Sequence, residues 1–151
     1  MRKIFFVFFI LIFTTSCGFT PLYNDNNKSN YNIIITDQKG DQYLNDLIIK
    51  EIKKISNLNS IDKLYLKIDT KYEKKIISKD TKGSASEYEL SILTYFSISG
   101  LEKDQKFLLR EKQNLKNISD TFEQKNYENI IKRNFASSLV RKLNLEILKR
   151  K

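Results

Sequence analysis

The sequence predicts an α+β fold: a two-layer sandwich, with a four-stranded sheet and two helices packed on one face. Three observations lead there. Residues 64–79 and 87–99 alternate apolar and polar side chains with a period of two. Residues 44–58 and 127–147 repeat apolar side chains at spacings of three and four. The connections between the later strands are short, which makes them an antiparallel meander. Amphipathic helices and a one-faced sheet bury their apolar sides only against each other.

The elements follow in order. Tyr31 to Thr36 is rich in β-branched residues and predicts a first strand, with Asp37-Gln38-Lys39-Gly40 as a loop behind it. Asp41 is placed to cap a helix whose stripe is Leu44, Leu47, Ile48, Ile52, Ile55 and Leu58. From Asp62 to about Lys79, Leu64, Leu66, Ile68 and Tyr72 share one strand face, while Tyr65, Lys67, Asp69 and Lys71 share the other. Asp80-Thr81-Lys82-Gly83 turns the chain. Tyr88, Leu90, Ile92, Phe96 and Ile98 then line one face of the next strand, with Thr94 as the single polar residue among them. Gln105 to Asn114 is a fourth strand. Asp120, with Glu123 three residues on, marks the start of a last helix along Tyr127, Ile131, Phe135, Leu139, Leu143 and Ile147, flanked by Ile130 and Ala136.

The N-terminus reads differently. Arg2 and Lys3 precede an unbroken apolar run from Ile4 to Phe13. Ten apolar residues fall short of the roughly 20 that span a bilayer and suit a signal-peptide core. Thr14-Thr15-Ser16 leads into Cys17, the only cysteine. This arrangement resembles a bacterial lipoprotein signal, with residues 1–16 as the leader and Cys17 as the acylated first mature residue. Thr14 stands where that pattern has leucine. Cleavage by an ordinary signal peptidase and an uncleaved membrane anchor are the alternatives. Gly18, in place of the aspartate that retains such proteins at the inner membrane, implies an outer-membrane destination. Residues 17–30 then form a lipidated tether and residues 31–151 the domain.

Composition narrows the function. The chain carries a net charge of +9, which loss of Arg2 and Lys3 lowers to +7. A basic exported domain favours anionic partners such as lipid head groups. There is no histidine, and the four glycines never cluster to cradle phosphate. The usual nucleophile–base pairs and metal sets have no parts to be built from. A protein that is not an enzyme, with no metal and no cofactor, is the expectation.

Cys17-Gly18-Phe19-Thr20-Pro21-Leu22-Tyr23, the strand-helix-strand-strand-strand-helix order and the Tyr88-to-Gly100 strand carry a further resemblance. They resemble the lipopolysaccharide-assembly lipoproteins LptE, in their alphaproteobacterial form. That resemblance implies a plug within the lumen of the outer-membrane β-barrel LptD. It also implies a part in the barrel's assembly and in lipopolysaccharide transport to the outer leaflet. Phe19, Pro21, Leu22 and Tyr23 are candidate barrel contacts; packing on the domain's own sheet edge, or lying at the lipid interface, are the alternatives. Lys74, Lys75, Lys79, Lys82 and Arg110, with Lys71 and Lys112 nearby, are candidate lipopolysaccharide contacts. A charged strand edge that discourages aggregation explains the same lysines. Tyr65, Leu93 and Tyr95 fall on strand faces away from the main apolar set. The other readings are an outer-membrane lipoprotein that binds anionic lipid or peptidoglycan without a barrel, a periplasmic enzyme, and a nucleic-acid-binding domain.

Overall fold

The computed structural model describes residues 29–149; Cys17, Phe19, Pro21, Leu22 and Tyr23 lie outside the described residues. The elements are β1 (Asn32–Gly40), α1 (Gln42–Ile55), β2 (Lys63–Lys79), β3 (Ala85–Ser99), β4 (Gln105–Lys116) and α2 (Thr121–Leu148). The sheet runs in the order β1-β2-β3-β4. β1 lies parallel to β2, and the remaining pairs are antiparallel. Parallel neighbours need a crossover connection, and α1 supplies it. The expected α+β sandwich is the observed one, with both helices over a single sheet face.

Side-chain alternation creates that one-sidedness. Leu64, Leu66 and Ile68 of β2 and Leu90, Ile92, Phe96 and Ile98 of β3 are buried, and Phe107 and Leu115 of β4 join them. Leu44, Ile48 and Ile52 of α1 and Ile131, Phe135, Leu139, Leu143 and Ile147 of α2 close the same core. Both helices begin as their caps dictate. The Asp41 carboxylate accepts from Leu44 N at 2.9 Å, and Asp120 Oδ1 accepts from Phe122 N at 2.8 Å and Glu123 N at 2.9 Å. Gln124 Oε1 accepts from Ile118 N at 2.6 Å and ties the lead-in to the helix.

Three sequence expectations change. β1 continues through Asp37-Gln38-Lys39-Gly40, because hydrogen bonding to β2 resumes after a register shift between Ile35 and Asp37. Those residues are polar because β1 is an edge strand. Leu58 is not part of the α1 stripe: Ser56 caps the helix, and Leu58 lies in the following turn. In α2, Tyr127 and Ile130 stay about half exposed, while Val140 is buried beside the predicted stripe.

Two features fix the junction between β1, α1 and the sheet. Thr70 and Thr94 are cross-strand partners, both fully buried, with hydroxyl oxygens 3.3 Å apart. Each hydroxyl gives the other a partner inside the core, which accounts for the polar residue on the apolar face of β3. Thr70 O also accepts from Asp41 N at 2.9 Å. Gly40 immediately precedes that bond, with φ of +85°. A Cβ there would stand 1.9 Å from Thr70 O, so both conformation and space require glycine.

Gly40→Ala is expected to destabilise the domain by about 3 kcal/mol or more in chemical denaturation, because strain and clash combine. Gly83→Ala is expected to cost only about 1 kcal/mol. Gly83 shares the positive φ, but a Cβ there meets nothing within 4 Å among the described residues. Thr70→Val and Thr94→Val alone should each cost about 1–2 kcal/mol by orphaning the remaining hydroxyl. The double variant should cost less than the sum of the two, in the same assay.

Candidate functional surface

The face of the sheet away from the helices carries the side chains that the core rejects. Cross-strand register arranges them in rows. Lys71, Leu93 and Arg110 form one row across β2, β3 and β4. Glu73, Ser91 and Lys112 form the next, and Lys75, Glu89 and Asn114 a third. Toward the other end lies Asp69, Tyr95 and Leu108, with Tyr65 opposite Ser99 beyond. Tyr65, Tyr95 and Leu108 are each 42–54% exposed. The first three rows border a shallow groove of about 410 Å³.

Ion pairing sorts the cations of this groove. Lys75 lies 3.1 Å from Glu73, and Lys112 lies 2.9 Å from Glu89. Such solvated pairs are worth about 0–1 kcal/mol and separate readily for a competing anion. Among the described residues, Lys71 and Arg110 are paired with no carboxylate. They flank Leu93, so two cations stand on either side of an apolar floor. That geometry suits an amphiphilic anion: guanidinium and ammonium take a phosphate, and the leucine takes adjoining hydrocarbon.

The candidate cations do not share one face. Lys75 and Arg110 share the open face and the groove. Lys79 is at the far end of β2, and Lys82 is in the turn that follows. Lys74 is on the helix-covered side. Its Nζ lies 2.8 Å from Glu128 Oε2 on α2 and 4.5 Å from the centre of the Tyr88 ring. One residue of difference along β2 puts Lys74 and Lys75 on opposite faces.

Lys74 belongs to a half-buried polar cluster that the sequence did not reveal. Tyr72 Oη donates to Glu128 Oε1 at 2.8 Å, and Lys132 Nζ approaches the same oxygen at 3.0 Å. Lys132 also stands 4.3 Å from the Tyr72 ring centre and 5.8 Å from that of Tyr43 on α1. Partial burial by itself raises the Glu128 carboxyl. Bonds from Lys74, Tyr72 and Lys132 outweigh it and hold the group down at about 2, against an ordinary 4.5. Burial and the adjacent Glu128 push the Tyr72 phenol up, so it remains a donor. A second clasp joins β4 to α2, where Ser138 Oγ donates to Glu111 at 2.6 Å and Lys142 approaches it at 2.8 Å. Burial alone raises Glu111; Lys142, Ser138 and Arg141 bring it below the ordinary value. The only sequence signal for these clasps is the Glu128–Lys132 spacing, common to many solvated helix pairs.

Because the folded pKa of Glu128 is depressed, its contribution is present above pH 4.5 and is lost as pH falls toward 2. Glu128→Gln is expected to lower stability by about 1–3 kcal/mol at pH 7 and to flatten that acid limb. Denaturation midpoints measured from pH 7 to pH 2 check both.

The geometry above has counterparts among solved structures. No family model matches this chain, and neither does any curated protein sequence. The rare lipoprotein B from Shewanella oneidensis superposes with a TM-score of 0.56 at 14% identity, covering 78% of this chain and 94% of that one. A minor lipoprotein from Acinetobacter baumannii gives 0.54 at 11% identity, covering 75% and 88%. A candidate lipoprotein from Caulobacter crescentus gives 0.50 at 9%, covering 81% and 90%. This chain has the fold of these lipoproteins over nearly their whole length.

Proposed function

We propose that this chain is an outer-membrane lipoprotein, anchored through Cys17. It plugs and helps assemble the LptD β-barrel and takes part in carrying lipopolysaccharide to the outer leaflet. The observation that carries the reading is a coincidence of two independent features. A lipoprotein-type leader ends at Cys17-Gly18-Phe19-Thr20-Pro21-Leu22-Tyr23, and the domain behind it has the fold of rare lipoprotein B. The role is structural and binding, without catalysis. The open sheet face, with its aromatic and apolar end and its basic groove, is the surface offered to a barrel wall and to anionic lipid. Lys71 and Arg110, flanking Leu93, are the groups best placed for a lipid phosphate.

The test is isolation of the palmitate-labelled, C-terminally tagged protein from outer membranes in mild detergent, with mass spectrometry of its companions. Recovery of a large β-barrel, and loss of label and of membrane retention in Cys17→Ala, are the expected outcomes. A labelled outer-membrane protein that returns without a barrel would instead establish a lipoprotein acting alone on anionic lipid or peptidoglycan. Lys71→Glu/Arg110→Glu is expected to weaken lipopolysaccharide binding by the leaderless protein about tenfold or more, since it removes two charge-assisted bonds. Lys79→Glu/Lys82→Glu should change it little. The reverse ranking would move the contact to the hairpin end.

A further inference from the structure

The turn between α1 and β2 exposes two large apolar side chains beside the point where the N-terminal segment joins the domain. Leu58 is 78% exposed and Ile61 is 94% exposed, the two most exposed of the large apolar side chains among the described residues. Lone exposed apolar residues on mobile loops are ordinary. These two sit on a turn held at several points. Ser60 N donates to Asn57 O at 3.0 Å, and Asn59 N donates to Asn57 Oδ1 at 3.2 Å. The Ser60 hydroxyl donates to Asn30 O, and Asp62 N donates to the same hydroxyl.

The lead-in to β1 is bonded into the same unit. Ser29 N donates to Ile55 O at 2.7 Å, Asn57 N to Tyr31 O at 3.0 Å, Asn32 N to Asp62 O at 2.8 Å and Ile33 N to Ser56 Oγ at 2.9 Å. The turn and residues 29–33 therefore move together. From Ser29 the chain leads back to Cys17 over twelve residues, which reach at most about 40 Å fully extended. A lipid on Cys17 thus limits this end of the domain, and not the β2–β3 hairpin end, to within about 40 Å of the bilayer.

We infer that the Leu58–Ile61 turn inserts both side chains into the head-group region of the leaflet that holds the Cys17 lipid, and so sets the domain end-on to the membrane. The inference rests on the lipidation of Cys17 proposed above. The occupant is a lipid surface, because the segment bonded to the turn is the one that leads to the anchor. The contact is apolar in kind: Lys63 and Lys103 border it, but so do Asp62 and Glu102. Its strength is accordingly expected to depend little on salt or on the fraction of anionic lipid.

The test uses full-length lipidated protein in vesicles of phosphatidylethanolamine and phosphatidylglycerol. An environment-sensitive fluorophore is placed on Asn59→Cys and, separately, on Thr81→Cys at the opposite end; Cys17 is acylated and does not react. The expected result is blue-shifted Asn59 emission, quenched by head-group-borne quenchers, with water-like emission from Thr81. Leu58→Ser/Ile61→Ser, both at exposed positions that leave the core intact, should return the Asn59 signal to that of water while the protein still floats with the vesicles. Water-like Asn59 emission from floating, unsubstituted protein overturns the inference and leaves the lipidation standing. A protein that does not float with the vesicles overturns both.

Discussion

The alternation of side chains along β2 and β3 is the constraint on which the rest of the molecule depends. Leu64, Leu66, Ile68, Leu90, Ile92, Phe96 and Ile98 all project from one side of the sheet, and each is at most 2% exposed. A sheet with one apolar face has one place for its helices, so α1 and α2 share it. The opposite face is left open to solvent. A register slip of a single residue would turn either strand's apolar set outward. The buried Thr70–Thr94 pair opposes such a slip, because displacement would leave the hydroxyl that stays in the core without its partner.

The same division sorts the charges. The domain is basic throughout, yet its cations are not equivalent. On the helix side, Lys74 and Lys132 are committed to Glu128, and Lys142 to Glu111. Lys74–Glu128 joins α2 to β2 and Lys142–Glu111 joins it to β4, and together they hold the long helix against the sheet. On the open side, pairing is looser, and Lys71 and Arg110 face each other across Leu93. Net charge is thus a poor locator of a binding surface. What locates one is which cations the fold has already paired.

The molecule also has two unlike ends. The end where residues 29–33 join is cross-bonded to the turn after α1 and presents Leu58 and Ile61. The other end is the β2–β3 hairpin, which carries Lys79 and Lys82. The anchor proposed on the N-terminal segment would make the first end the membrane-proximal one. That solved lipoproteins only 9–14% identical to this chain have the same fold reflects what specifies it. A pattern of apolar positions and a few caps specify it, and many side chains satisfy a pattern.

The sequence by itself determined the element order, the caps at Asp41 and Asp120, the one-faced strands and the meander. Each follows from side chains a few residues apart, where helical and strand periods act. Only the tertiary structure decided that β1 runs parallel to β2 through Gly40, and that Thr94 has Thr70 as its partner. It alone decided that Leu58 leaves the α1 stripe for an exposed turn, and that Lys74 is taken up by Glu128 on α2. Tyr72 and Lys74 meet Glu128 across 56 and 54 residues, and Thr70 meets Thr94 across 24. Local periodicity carries no information about groups so far apart along the chain, and only closing the sheet under its helices brings them together.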